Sequence, residues 1–296
     1  MRTQKRPLQK MRAAALIAIL SISATITGAV FEWPVARVLL TASFGETRSD
    51  HFHNGIDMGG DSQRVVPIAP GEIVYYFDEG EHPLYRESGV GNFMVLQHTN
   101  AMRSYYYHMR KASVANARAS LAHNETIGLS GNSGRSFGAH LHLSVSDDKG
   151  YINPLSLLPD YPDARAPEIA SILFDFDGRV ITVPDQYRVS GLDIFTLLAR
   201  AWDTHEEIRA IGVLAPYQVS FSLDGNTLKT ITFDRLLKKN GRLLLADGTG
   251  FAETWSGEGF LIGGELRNLS GQHTISILAA DYAGNTASKS VNVQFR

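Results

Sequence analysis

A chain of 296 residues is long for one domain and suits two, since domains run roughly 100–200 residues. Its 44% hydrophobic and 20% charged residues sit near the globular average and exclude a disordered or low-complexity chain. The net charge of -2 hides an asymmetry. Arg2, Lys5, Arg6, Lys10 and Arg12 fall in the first twelve positions, and removing those five from 28 leaves 23 basic against 30 acidic residues, too acidic for electrostatic nucleic-acid binding. Zero cysteines excludes disulfides, thiolate metal sites and cysteine nucleophiles.

The basic cluster is followed by an apolar stretch, Ala13 to Ile22, and by small residues to Ala29. This layout predicts a secretory signal peptide over 1–29, or an uncleaved anchor, and with it export to the periplasm or cell envelope. From Pro34 to Leu158 short runs rich in aromatic and β-branched residues predict strands: Ile73–Phe77, Phe93–Leu96, Ser104–Met109 and His140–Ser146. Asp78–Asn92 reads as a long loop, and Lys111–Ala122 carries the one hint of a helical turn. Pro159–Pro167, with three prolines in nine residues, reads as a linker. Beyond it, Ser171–Phe176, Ile194–Trp202, Tyr217–Leu223, Leu228–Phe233 and Thr274–Ala280 again read as strands, with hairpin turns at Asp224-Gly225 and Ala283-Gly284-Asn285. The predicted organisation is mostly β: a compact antiparallel body over 34–158, then a β-sandwich over 168–296.

The chemistry concentrates in the first body. Strict alternation in His140-Leu141-His142-Leu143-Ser144-Val145-Ser146 puts His140 and His142 on one strand face, within reach of one small volume. An isolated pair of this kind also suits two surface histidines. His53-Asn54-Gly55-Ile56-Asp57 adds an imidazole and a carboxylate across a tight turn, although the segment also reads as a polar turn and His51 offers a rival to His53. Two histidines and one aspartate would leave a zinc ion one open position for water. Tyr105-Tyr106-Tyr107-His108 supplies a further histidine at the end of an aromatic strand, a setting that equally suits a packed structural residue. The absence of a helical HExxH excludes a thermolysin-type layout.

The order and spacing of these segments resemble the LytM/lysostaphin-type zinc metallopeptidases, a family of peptidoglycan endopeptidases. The likeness extends over Thr41-Ala42-Ser43-Phe44-Gly45 with Arg48, Pro67 to Val74, Gly89 to His98, Ile127 to Gly134, Gly138 to His142 and Asn153-Pro154. It implies a compact β domain of the duplicated hybrid motif type, one Zn2+ per chain on His53, Asp57 and His142, and His108 and His140 as the catalytic pair that does not bind metal. It also implies hydrolysis of peptide bonds in peptidoglycan stem peptides or cross-bridges. Ser144 stands where many relatives carry an acidic residue, and Ala139 where proline is common. A zinc-bound water needs a group to take its proton, and histidine titrates in the right range. Asp57, committed to the metal, is a poor base. The alternative is a silent wall-binding module that activates another cell-wall hydrolase; the five filled positions favour the enzyme. The C-terminal body resembles immunoglobulin-like or fibronectin-like sandwiches of bacterial surface proteins through Gly271–Ile277 and Asp281–Asn285, which implies substrate positioning, docking of an envelope protein partner or spacing, and its His205 and His273 lack metal spacing.

Overall fold

The computed structural model describes residues 31–81, 89–112, 120–190, 194–205, 207 and 213–296; the expected signal segment lies outside them. Among the described residues no helix is long and apolar enough to cross a membrane.

The first half is built on one face of a ten-stranded sheet. Its path runs Arg242–Leu245, Arg235–Lys239, Gly150–Ile152, His140–Ser146, Arg103–Met109, Asn92–Gln97, Gly71–Phe77 and Ser120–Leu121, with Ile56–Gly59 also paired to His140–Ser146. Alternation sorts the side chains. Leu141, Leu143 and Val145 point into the core with Tyr106, Met94, Leu96, Ile56 and Met58, all fully buried. Their neighbours in sequence, His140, His142, Ser144 and Ser146, therefore share the opposite face. Burying such apolar side chains stabilises the sheet by about 1.5–3 kcal/mol each, and the price of register error would be total, because a one-residue slip would send the histidines into the core.

The strands expected at Ile73–Phe77, Phe93–Leu96, Ser104–Met109 and His140–Ser146 are present, most of them a residue or two longer. Of the expected helical turn over Lys111–Ala122, residues 113–119 lie outside the described residues. Lys111–Ala112 and Ser120–Leu121 are short strands, the first paired with Gly128–Leu129 and the second with Gly71–Phe77. Ala112 is buried against its neighbouring strand. Residues 159–167 have no regular secondary structure.

In the second half, two sheets face each other. Arg179–Thr182, Glu168–Phe176, Phe195–Trp202 and Leu261–Leu266 form one; Tyr187–Val189, Thr286–Phe295, Gly271–Ala280, Gln218–Leu223 and Asn226–Thr232 form the other. Phe195 of the first stacks on Phe295 of the second, with ring centres 5.8 Å apart. Asp224 and Gly225 both have positive φ, 50° and 80°, the conformation that a two-residue hairpin turn requires.

The halves are joined through the sheet itself. The hairpin Arg235–Lys239/Arg242–Leu245 comes from the C-terminal half, yet it extends the N-terminal sheet by pairing Leu237 with Gly150 and Leu236 with Tyr151. A Cβ at Gly150 would lie 2.1 Å from the Leu236 carbonyl oxygen, so only glycine lets this edge close. Asn153, buried at the same seam, donates from Nδ2 to the Phe233 carbonyl at 2.9 Å.

Asp163, Asp203 and Asp281 bring carboxylate oxygens within 4.8 Å of one another. Burial, aided by the charges of Asp163 and Asp281, pushes the Asp203 carboxyl up to about 7 against the hydrogen bond from Thr204 N. Between pH 4 and 7 the folded chain then holds a proton that the unfolded chain releases, so stability is fully present below pH 4 and lost as pH rises through 7. Asp203→Asn keeps an acceptor for Thr204 N and removes the titration. In chelator-treated protein it should flatten the pH dependence of the melting temperature and stabilise at pH 8 by about 1–3 kcal/mol. An unchanged pH profile would contradict this assignment.

Candidate metal centre

Strand pairing brings the site together. His142 lies opposite Asp57 on one side and Tyr107 on the other, so Asp57 and His142 stand side by side on the face turned away from Leu141 and Leu143. His53, four residues before Asp57, returns to the same point across the Asn54-Gly55 turn. His53 Nε2 is 3.0 Å from His142 Nδ1 and 3.2 Å from Asp57 Oδ1, and His142 Nδ1 is 2.9 Å from the same Oδ1. All three residues are buried. The turn packs tightly on the strand: a Cβ at Gly55 would meet Leu143 O at 2.3 Å, His142 Nε2 at 2.6 Å and Ser144 Oγ at 2.8 Å.

The outward-facing atoms decide what the inward-facing ones can do. His53 Nδ1 lies 2.7 Å from the Ser43 carbonyl oxygen, which only accepts, so the proton of a neutral His53 sits on Nδ1 and Nε2 presents a lone pair. His142 Nε2 is 2.8 Å from Ser144 Oγ, whose own proton is directed to Asn54 Oδ1 at 3.4 Å, leaving a lone pair on His142 Nδ1. Burial pushes His142 down to about 4, so it is neutral at pH 7. Protons on the facing His53 and His142 would hold the Asp57 carboxyl well below its ordinary range against its burial, so it is ionised before they are lost. Two imidazole lone pairs and a carboxylate oxygen thus converge with little water between them. Such atoms repel unless a cation stands among them, and their chemistry fits a divalent metal. The second carboxylate oxygen, Asp57 Oδ2, accepts from Arg48 Nη2 at 3.0 Å, which leaves Oδ1 for the metal.

His108 reaches this face by an irregularity. It follows Tyr107, and regular alternation would send it to the other side. Between Asn92↔Met109 and Met94↔Tyr106 the pairing shifts, so Tyr107 and His108 together oppose Phe93. The bulge, with His108 at φ 58°, turns the imidazole back towards the site, its ring centre 5.0 Å from His140 and 6.1 Å from His142. His108 Nδ1 donates to the Ser133 carbonyl at 2.9 Å, and His140 Nδ1 to the Gly138 carbonyl at 2.8 Å. Both therefore turn Nε2 away from those carbonyls, and His140 Nε2 comes to 3.7 Å from Asp57 Oδ1. Burial lowers the His108 pKa against the Ser133 bond.

All five expected residues meet here. His51 does not: its side chain is 65% exposed and pairs with Asp50. His205 and His273 lie elsewhere, bonded to Leu40 O and to Asp224. Residue types alone do not announce the roles of Ser43, whose carbonyl orients His53, or of Ser133 beneath His108. Asn54 is marked by its place in the His53–Asp57 turn.

Residues 51–154 match the model of peptidase family M23, and a second family model matches residues 166–296. Over 105 residues the chain is 32% identical to an uncharacterized metalloprotease of Haemophilus influenzae, covering 36% of this chain and 21% of that protein. Over 94 residues it is 36% identical to the peptidoglycan DD-endopeptidase ShyA of Vibrio cholerae, covering 31% and 20%. A solved zinc-containing peptidase from Vibrio cholerae aligns with 24% identity and a TM-score of 0.37 over 46% of this chain and 41% of that one. The chain spans about a fifth of the length of these two curated relatives.

Gly55→Ala tests the packing of the turn. The added methyl must displace the turn from Leu143 and His142. Affinity for a divalent metal, measured by chelator competition, should fall at least about tenfold while the β-type circular dichroism is retained. Wild-type affinity in this variant would show that the turn does not have to sit where it does.

Proposed function

We propose, on the match of residues 51–154 to the model of peptidase family M23, that this protein is a zinc-dependent endopeptidase that hydrolyses peptide bonds in peptidoglycan stem peptides or cross-bridges. The observation that carries the reading is the convergence of His53 Nε2, Asp57 Oδ1 and His142 Nδ1 on one point, with His108 and His140 beside it. A zinc ion bound there supplies Lewis-acid polarisation of the scissile carbonyl and acidifies a water molecule.

The rest is the work of the chain. His53 and His142 keep their lone pairs on the metal side because Ser43 and Ser144 hold the opposite ring nitrogens. Arg48 keeps Asp57 turned so that a single oxygen faces inward. His108 and His140, each anchored through Nδ1, use Nε2 to take the proton of the attacking water, to stabilise the oxyanion and to deliver a proton to the leaving amine. The open sheet face beside them, floored by Tyr105, Tyr107 and Tyr151, receives the substrate chain. Export to the periplasm or envelope, directed by the segment 1–29, brings the enzyme to that substrate. The C-terminal region, an immunoglobulin-like β-sandwich in this reading, offers a surface for an envelope partner.

Digestion of purified peptidoglycan, followed by mass analysis of the fragments, tests the reading and names the bond. The site residues should divide into two classes. His53→Ala, Asp57→Ala and His142→Ala each leave two protein ligands and should lose zinc. His108→Ala and His140→Ala should keep about one zinc per chain and lose about 10²–10⁴ in rate. Zinc loss in His140→Ala with retention in His142→Ala would reverse the roles on that strand and overturn the mechanism.

A further inference from the structure

The segment that supports two of the three metal-facing residues is held from the other half of the chain. His205 Nε2 donates to the Leu40 carbonyl at 3.0 Å. Ala215 N donates to Ser43 Oγ at 2.8 Å, and Trp255 Nε1 donates to the Gly45 carbonyl at 3.0 Å. Phe233 lies under Gly45, where a Cβ would meet its ring at 2.1 Å. Four residues of the C-terminal half thus grip three positions, Leu40, Ser43 and Gly45, within a six-residue stretch of the N-terminal half.

Ser43 lies in the middle of that grip and is bonded on three sides. Its Oγ accepts from Ala215 N and donates to Glu46 Oε2 at 3.1 Å, a stronger acceptor than the Ala215 carbonyl at 3.3 Å. Its N–H donates to the same Oε2 at 2.9 Å. Its carbonyl takes the His53 Nδ1 proton at 2.7 Å. Glu46 in turn pairs with Arg48, and Arg48 holds Asp57 Oδ2. One path runs from Ala215 through Ser43 to His53; a second runs from Ala215 through Ser43, Glu46 and Arg48 to Asp57.

We propose that the C-terminal half is a positioning element of the metal centre, gripping Ser43 and Gly45 so that His53 and Asp57 are held in ligating geometry. The inference rests on His53, Asp57 and His142 being the metal ligands. It gives the second half a task inside the site, beyond spacing or partner docking. Partners that orient metal ligands typically account for 10–100-fold in metal affinity, so the effect is measurable without turnover.

The test uses the full chain and zinc or cobalt(II) as the probe. Ser43→Ala removes the hydroxyl and leaves the backbone carbonyl in place. Trp255→Phe keeps an aromatic ring against Phe233 and removes the N–H. Phe221→Leu, in the buried core of the C-terminal half, is the control for a general loss of stability. Affinity by chelator competition should fall about tenfold or more in Ser43→Ala and several-fold in Trp255→Phe, with an altered cobalt(II) absorption spectrum in both. Phe221→Leu should lower the melting temperature and leave affinity and spectrum as in the wild type. Wild-type affinity and spectrum in both Ser43→Ala and Trp255→Phe, while His53→Ala loses the metal, would overturn the inference and leave the ligand assignment standing. Retention of metal by His53→Ala, Asp57→Ala and His142→Ala would overturn the ligand assignment itself.

Discussion

Three electron-rich atoms face one another at about hydrogen-bond distance in a buried corner: His53 Nε2, Asp57 Oδ1 and His142 Nδ1. Left alone they repel, and the surrounding polar groups can be understood as the means of keeping them there. Every remaining hydrogen-bonding atom on these three side chains is turned outward to a partner: Ser43 O, Ser144 Oγ and Arg48 Nη2. Because these partners are supplied by the fold, the lone pairs are aimed before any ion arrives. This is preorganisation in its simplest form, with orientation settled by second contacts so that binding need not supply it.

The sheet makes the arrangement durable. Asp57 and His142 are direct cross-strand neighbours, and the same strand sends Leu141 and Leu143 into the core. Moving the site therefore means moving the hydrophobic face, which costs several buried side chains at once. One break in the pattern, the Tyr107–His108 bulge opposite Phe93, lies beside the histidines. A sheet in strict alternation could not give both Tyr107 and His108 to one face, and the irregularity supplies the additional side chain.

Legibility in the sequence follows the range of the interactions. His140–Ser146 is readable because alternation is local, and Asp224-Gly225 because the turn chemistry is contained in two residues. The group of His53, Asp57 and His142 is readable only as a pattern of ordered segments, since nothing in HNGID alone specifies a partner 89 residues away. The bulge at His108 leaves no mark in Tyr-Tyr-Tyr-His, where a glycine would have signalled a positive φ. At Lys111–Ala112 the alanine speaks of local preference, while Ala112 answers to Gly128 across a sheet. Ser43 and the Arg235–Leu245 hairpin stay hidden for the same reason. Their partners, Ala215 and Gly150–Ile152, lie far along the chain, and neither segment carries a residue type that demands them.

The Trp255–Gly45 bond spans 210 positions and the Ala215–Ser43 bond spans 172. During synthesis from the N-terminus, at about 5–20 residues per second, roughly ten seconds separate the appearance of His142 from that of Trp255. All the metal-facing residues thus exist before the segments that brace them, and the most non-local contacts are the slowest to form. A chain interrupted between these points carries every chemical group of the centre but lacks part of its frame. The order of residues thereby becomes a clock, in which the reactive groups come early and their bracing comes with the closing stretch of the chain.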